Sequence, residues 1–263
     1  LDREEISAEA LDSLKHELAE LEREYPELVT SDSPTQRIAG EPLSKFEKYE
    51  HTVEQWSFND VFSSEELRDW EVRIKRILKD AYKTEIHPTY TCELKIDGLK
   101  VVLEYRGGLL QVAATRGDGK VGENVTANVK TIESVPLKLE REIDMIVEGE
   151  VWMGRSGLHA LNKRREKNGL EAFANPRNAA AGSIRQLDPK VAADRPLDTF
   201  IYDIGWIEGD APARQVEELD MLAELGFKVN PEHMHAPTLD DVIAYRSAWM
   251  DTKNESDYVI DGV

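Results

Sequence analysis

The hydrophobic pattern changes from a helical to a strand period about a third of the way along the chain. Before Tyr90, apolar residues recur every three or four positions, which predicts amphipathic helices. One helix is expected from Ser7 to about Tyr25, where Pro26 follows, and a second from near Ser63, where serines precede glutamates. After Tyr90, apolar and polar residues alternate, which is typical of strands.

The part after Tyr90 is predicted to combine strands with helices. A hairpin is expected over Val101 to Thr115, with its turn at Arg106-Gly107-Gly108. Further strands are predicted at 144–153, 199–206 and 258–263, and helices at 157–167, 215–225 and 239–252. The stretch His233-Met234-His235 lies between two prolines and is interpreted as a loop. The predicted fold class is therefore α+β, with a helical N-terminal part.

Composition narrows the classes of protein that fit. A chain of 263 residues with 40% hydrophobic residues can bury a substantial core. It has no apolar run of about 18 residues and no signal peptide at its charged start, so no membrane contact and a cytoplasmic location are expected. A single cysteine, Cys92, excludes an intramolecular disulfide and a multi-cysteine zinc site. The net charge of −19 has the wrong sign for binding phosphates over the whole surface, so nucleic acid would have to bind locally or through other segments.

The most informative motif runs from Thr91 to Leu99 and reads T-C-E-L-K-I-D-G-L. In a strand, alternate side chains share a face, so Glu93, Lys95 and Asp97 are predicted to point the same way while the apolar residues between them enter the core. A lysine between two carboxylates suits a pocket for a cation or a phosphate. For a bare K-x-D-G, an ion pair on a surface strand would be the favoured explanation, but the extended string is much rarer.

Three further groupings carry polar side chains that suit a ligand. A loop with three glycines, Thr115 to Asn124, is able to present Arg116 to a phosphate or ribose, although an ordinary hairpin loop has the same composition. Glu150 interrupts a strand suited to burial, where a carboxylate must be paired or bind a ligand unless it faces water. Arg177 and Arg185 flank an alanine-rich helix and are able to converge on anionic oxygens, or the small residues serve only close packing on a sheet.

In this order, the strings C-E-L-K-I-D-G, T-R-G-D-G and F-A-N-P-R-N-A-A-A-G-S-I-R-Q-L resemble the adenylation domain of NAD-dependent bacterial DNA ligases. The resemblance implies a helical domain at 1–46 that binds the nicotinamide mononucleotide half of NAD. It also implies a nucleotidyltransferase domain at 47–263, with antiparallel sheets packed with helices in an ATP-grasp-like ligase fold. The remaining matches are Ile6-Ser7 with Asp12-Ser13-Leu14, Asp32 to Gln36, His51 with Trp56 to Asp60, and Ile260 to Val263.

The resemblance implies a reaction in which Lys95 attacks the adenylyl phosphorus of NAD. A free lysine has a pKa of about 10.4, so the site must favour the neutral amine, which Mg²⁺ and arginines can do. The catalytic residues implied are Lys95, Asp97 and Asp261. The residues implied to bind NAD are Asp12, Ser57, Phe58, Glu93, Arg116, Glu150, Arg177 and Arg185. Glu150 and Asp261 are also implied to hold Mg²⁺, and no zinc is expected in this chain.

The resemblance also implies a partner, which is nicked duplex DNA in replication and repair. Binding of this chain alone is expected to be weak, because the DNA-encircling domains of the family are not in it, and the chain is expected to be a monomer with a nucleoid-associated role in a bacterial cytoplasm. Two alternatives remain open. One is an ATP-dependent nucleotidyltransferase that releases pyrophosphate, and the other is a non-catalytic nucleotide- or DNA-binding module.

The chain departs from the family pattern mainly on the nicotinamide side. Ala8 and Leu11 stand where the family usually has an aspartate and a tyrosine that touch nicotinamide mononucleotide. Lys253 stands where an arginine is usual. A Tyr-His pair that the family carries before Leu1, and a lysine that it carries after Val263, are not in this sequence.

Overall fold

The computed structural model describes residues 8–38, 45–57, 59–252 and 255–263, without the side chains of 8–12, 38 and 251. The strands are β1 (Lys48–Glu50), β2 (Tyr90–Cys92), β3 (Lys95–Ile96), β4 (Leu99–Arg106), β5 (Leu109–Thr115), β6 (Val121–Glu123), β7 (Met145–Met153), β8 (Leu197–Ile207), β9 (Met234–Ala236) and β10 (Ile260–Gly262). The helices are α1 (Ala8–Glu24), α2 (Ser64–Tyr82), α3 (Thr126–Val129), α4 (Arg155–Lys167), α5 (Pro176–Ile184), α6 (Pro189–Ala193), α7 (Gln215–Glu224) and α8 (Leu239–Thr252). Short 3-10 helices lie at Pro26–Leu28 and Pro34–Ile38.

A four-stranded antiparallel sheet in the order β5-β4-β7-β8 organises the fold. Its two inner strands are rich in β-branched and other apolar residues, and β7 is buried along its length apart from half-buried Glu150. One face of β7 presents Val147 and Val151 to a core that α3, α5 and α7 complete. Burying each such side chain contributes about 1.5–3 kcal/mol, so this core holds the helices on the sheet.

The opposite face of the sheet carries the lysine motif. Trp152 and Phe200 lie on this face and stack with ring centroids 5.2 Å apart. Leu94 and Ile96, on either side of Lys95, pack against these rings together with β10. The two apolar residues therefore anchor the short strand β3 and turn the lysine between them outward.

Most of the predicted elements are confirmed, with ends that differ by one or two residues. The hairpin is β4 and β5, the three later helices are α4, α7 and α8, and the later strands are β7, β8 and β10. The helix expected near Ser63 begins there, because the Ser63 side chain accepts a hydrogen bond from the Glu66 amide at 3.1 Å. The helix expected from Ser7 is described from Ala8 onward as α1.

Two sequence-based predictions were wrong. The motif from Thr91 to Leu99 is not one continuous strand, since residues 90–92 pair with β9 whereas 95–96 pair with β10. The alternation of buried and exposed side chains nevertheless continues through the break. The stretch His233-Met234-His235 is not simply a loop, because Met234–Ala236 forms β9 by pairing with β2. Both differences arise from strand partners that are more than 100 residues away.

Arg37 fixes the N-terminal helical segment to the rest of the molecule. Its guanidinium donates hydrogen bonds to the backbone carbonyls of Lys130 at 3.0 Å, Ile132 at 2.8 Å and Val135 at 3.0 Å. Burial lowers the pKa of Arg37 from its usual value. These three bonds join residues almost 100 positions apart, and each bond from a charged donor contributes about 1.5–3 kcal/mol.

We expect Arg37→Met to release this segment, weakening its docking by about 3 kcal/mol because three carbonyls lose a charged donor. Thermolysin cleavage between α1 and β1 should accelerate, and the amides of α1 should exchange hydrogen faster. The matched control is Arg23→Met, since exposed Arg23 pairs with Glu20 in its own helix, at 2.9 Å, and with no other carboxylate among the described residues. Equal cleavage rates for the two variants would contradict the role of Arg37.

Candidate functional site

Lys95 presents an accessible amine at the centre of the candidate site. Strand β3 pairs with β10, and this pairing brings the Lys95 ammonium into contact with the carboxylate of Asp261. The two side chains are 52% and 48% exposed, so the pair is open to a ligand. The Asp97 amide donates to the Val259 carbonyl at 2.9 Å, which extends the attachment beyond the strand itself.

Gly98 allows the lysine motif to lie directly on β7. A β-carbon at this position would lie 2.3 Å from the Val151 carbonyl oxygen and 2.8 Å from Glu150 Cγ, so any side chain would push the motif away. This close approach buries Glu150, and burial raises the pKa of its carboxyl to about 7. The positive charges of Arg177 and Lys95 act in the opposite direction. Glu150 is therefore a buried acid poised to accept a hydrogen bond or a cation.

The two arginines predicted from the alanine-rich string are held at opposite ends of α5. Arg177 Nη1 lies 3.2 Å from Asp97 Oδ1, and Arg185 Nε lies 2.9 Å from Glu123 Oε2. They are eight residues apart, which corresponds to about 12 Å along a helix axis. Helix α5 thus bridges the lysine motif and the glycine loop, and the two guanidinium groups engage separate carboxylates rather than a single point.

The glycine loop follows β5 and holds Arg116 close to the body of the protein. His51 Nε2 lies 3.0 Å from the Thr115 carbonyl oxygen and 3.2 Å from that of Arg116. A β-carbon at Gly122 would lie 1.8 Å from the Thr115 carbonyl oxygen, so glycine is needed for this packing. Arg116 Nε is buried and finds no hydrogen-bond acceptor among the described residues. A buried donor without a partner is costly, which suits a site that a ligand completes.

Glu93 lines a small recess on the same side of the sheet as the lysine motif. The recess has a volume of about 20 Å³ and is also lined by Phe200, Tyr202 and His233. Burial raises the pKa of Glu93 to about 7, although a hydrogen bond from Gln215 and the charge of His233 lower it. Like Glu150, this carboxyl retains hydrogen-bonding capacity for a polar group of a ligand.

The raised pKa of Glu93 predicts a pH dependence of stability. The carboxyl is protonated more readily in the folded than in the unfolded chain, so its contribution to stability decreases as the pH rises from about 4.5 to about 7. In Glu93→Gln this decrease should be smaller, whereas Glu27→Gln, at an exposed position, should behave as the parent chain. Urea unfolding across that pH range measures the slope. An identical slope in Glu93→Gln and the parent would contradict the prediction.

Sequence reasoning missed a group of polar residues beside Glu150. Lys100 on β4 forms an ion pair with Glu148 at 2.5 Å, and both side chains are largely buried. Burial and the charge of Glu148 raise the pKa of Asp203, and burial likewise raises that of Glu218. Part of the signal was present, because Glu148 is a charged residue inside the strand predicted at 144–153, whereas Lys100 comes just before the predicted hairpin. Only the register, which places Lys100 opposite Glu150, shows that they adjoin the site.

Other predicted site residues are not brought into the group. Ser57 is exposed in the segment before α2, and Phe58 lies outside the described residues. Asp12, Ala8 and Leu11 are in α1, but their side chains are not among those described, and Lys253, like Phe58, lies outside the described residues. Within the described ranges, no group of three or more His, Cys, Asp or Glu side chains is arranged to hold a metal ion. No helix of that part of the chain is long and apolar enough to cross a membrane.

Comparison with known proteins bears on this arrangement directly. Residues 43–263 match the family model of the NAD-dependent DNA ligase adenylation domain, and residues 1–39 match that of the DNA ligase-like N-terminal NAD⁺-binding domain. The chain is 48% identical over 262 residues to a DNA ligase of Thermoanaerobacter sp. and 45% identical over 263 residues to that of Halalkalibacterium halodurans. Each match covers 100% of this chain and 38% of the relative, so the chain spans well under half the length of these relatives.

Proposed function

The chain belongs to the family of NAD-dependent DNA ligases, and from this premise we propose that it catalyses its own adenylylation with NAD as the first step of nick sealing. The observation that carries the proposal is the accessible Lys95 amine, in contact with Asp261 and beside the buried carboxyl of Glu150. In the proposed domain division, residues 1–46 bind the nicotinamide mononucleotide half of NAD and 47–263 form a nucleotidyltransferase domain with an ATP-grasp-like ligase fold.

The residues around Lys95 fit a nucleotide. Buried Arg116 Nε has no acceptor among the described residues, and a ribose or phosphate oxygen would supply one. The carboxyls of Glu93 and Glu150 suit the amine and hydroxyl donors of adenine and ribose, respectively. Arg177 and Arg185 would contact phosphates of NAD or of the nicked strand by exchanging their present carboxylate partners. Asp12, Ser57 and Phe58 remain proposed NAD contacts on the resemblance alone.

In the proposed reaction the lone pair of Lys95 Nζ attacks the adenylyl phosphorus of NAD. A nitrogen–phosphorus bond forms, the pyrophosphate bond breaks, and nicotinamide mononucleotide leaves with the bonding electrons. The ammonium must first lose a proton, and the carboxylate in contact with it is that of Asp261. Asp97, held by Arg177 at 3.2 Å, would keep the lysine segment in place. In the complete ligase, AMP would then pass to the 5′-phosphate of the nick.

We propose Glu150 and Asp261 as the residues that hold Mg²⁺. This ion commonly binds through one or two carboxylates together with substrate phosphates and water, so two acids beside Lys95 fit it. When bound, Mg²⁺ would stabilise negative charge on the phosphate oxygens. Asp261 contacts the amine directly, and the positive charge of Lys95 lowers the pKa of Glu150.

The partner and compartment are proposed at the level of the family. Nicked duplex DNA is the substrate of the whole enzyme, with weak binding by this part of it, because the formal charge of −19 repels phosphate over most of the surface. We place the protein in the bacterial cytoplasm as a monomer.

Intact-mass spectrometry tests the proposed function. The purified chain, stripped of nucleotide, is incubated with Mg²⁺ and either NAD or ATP and then analysed under denaturing conditions. Addition of one AMP from NAD is the expected result. Addition from ATP alone would favour an ATP-dependent nucleotidyltransferase, and no addition from either would leave a non-catalytic nucleotide- or DNA-binding module.

A further inference from the structure

Positive charge is concentrated in the three-helix layer of α4, α5 and α6. Residues 155–195 contain nine Lys and Arg against four Asp and Glu, whereas the rest of the chain contains 24 basic and 48 acidic residues. The segment 155–195 therefore has a formal charge of +5, whereas the rest of the chain has a formal charge of −24. In a chain with such an excess of acidic residues, most cations are expected to lie near carboxylates. A segment with a net positive charge therefore indicates a specific role.

Five of these nine cations, four of them in the second half of α4, lie close together. Arg164 Nη2 donates to the Asp194 carbonyl at 3.4 Å, which brings α4 beside Arg195. Burial, followed by the charges of Arg165 and Arg164, lowers the pKa of Arg195. Arg165 stacks over the Phe173 ring, with its guanidinium carbon 4.4 Å from the ring centroid. The like charges are thus held close together by packing.

Within the described residues, the five cations of this cluster have no carboxylate oxygen within 4.0 Å of their side-chain nitrogens. We call Lys163, Arg164, Arg165, Lys167 and Arg195 the basic face. Of these, Lys163, Arg164 and Lys167 are exposed to solvent. On α2, by comparison, two of the cations, Lys75 and Lys79, each pair with a glutamate at 2.9 Å. Among the described residues, α4 and Arg195 therefore carry a cluster of cations that no carboxylate neutralises.

We infer that the basic face binds the phosphate backbone of duplex DNA and holds it beside the lysine site. The inference rests on the proposed function, which makes DNA the substrate. Helix α5 packs on β7 and joins the two regions, since its Arg177 contacts Asp97 while Ala179 and Ala180 pack with Leu161 of α4. When such cations neutralise phosphates, the counterions condensed on the DNA are released, so binding here is local, sequence-independent and sensitive to salt.

Fluorescence anisotropy with a labelled nicked duplex, over a series of KCl concentrations, tests the inference. The parent chain should bind at low salt. In the triple variant Lys163→Gln, Arg164→Gln, Lys167→Gln, the negative slope of log K against log[KCl] should become smaller in magnitude by about 2 to 3, since each lost phosphate contact removes roughly 0.9. Charge-retaining Lys163→Arg, Arg164→Lys, Lys167→Arg should keep the parent slope. Thermal unfolding of each variant verifies folding.

The matched control neutralises the same number of exposed cations on α2, with Arg73→Gln, Arg76→Gln and Lys79→Gln, and should change the slope by less than about 1. An equal decrease in both triple variants would overturn the inference, as would loss of the slope in the charge-retaining variant. Competition by polyglutamate as effective as that by DNA would instead assign the face to an acidic polypeptide. The proposed function is tested separately by intact-mass spectrometry. It fails if NAD attaches no AMP to the parent chain.

Discussion

Lys95→Ala is expected to abolish attachment of AMP, with no mass increase from NAD at any time. The reason is chemical, because the proposed nucleophile is the amine itself and no water can replace it in a stable nitrogen–phosphorus bond. Lys95→Arg should be equally inactive, since guanidinium keeps the charge but is not deprotonated. Intact-mass spectrometry after incubation with NAD and Mg²⁺ measures the effect.

Lys79→Ala is the matched control for this prediction. Its ammonium pairs with a carboxylate, as that of Lys95 does, and its side chain is 58% exposed against 52%. Loss of an exposed ion pair costs little stability, so Lys79→Ala should be adenylylated as the parent chain is. An AMP increment that persisted in Lys95→Ala would move the nucleophile to another residue, which peptide mapping would identify.

Gly98→Ala is expected to have the second largest effect. The new β-carbon would collide with the Val151 carbonyl oxygen, 2.3 Å away, and this backbone atom has no free rotation that relieves the contact. The lysine motif must therefore shift away from Glu150. We expect a loss of about 1–3 kcal/mol in the free energy of unfolding. The rate of AMP attachment should fall about 100-fold, because a shift of about 1 Å in a reacting group has that scale of effect.

Gly205→Ala is the matched control, because it makes the same substitution at a glycine in β8 of the four-stranded sheet. A β-carbon there would meet its nearest atom, Glu148 Oε1, at an ordinary contact distance of 3.4 Å. Its stability and rate should therefore remain close to those of the parent chain. Urea unfolding and single-turnover adenylylation, followed by intact mass, separate the two effects of Gly98→Ala. A parent-like rate in Gly98→Ala would contradict the requirement for close approach.

The sequence by itself determined the local elements and the family. The helix that begins after Ser63, the hairpin of β4 and β5 and the alternation around Lys95 follow from capping and side-chain period, which act between residues a few positions apart. Motif strings then identified the family that the comparisons confirm, as well as the lysine, glutamate and arginines proposed to act in it. Their roles remain proposals.

Only the tertiary structure decided which of these groups meet and how each is charged. Lys95 contacts Asp261 across 166 positions, and Arg37 reaches the Val135 carbonyl across 98. Strand register placed Lys100 opposite Glu150, and burial under the lysine motif raised the pKa of Glu150 to about 7. The physical reason is that hydrogen-bond partners, burial and charge at a site depend on segments far apart in sequence, which local pattern does not specify.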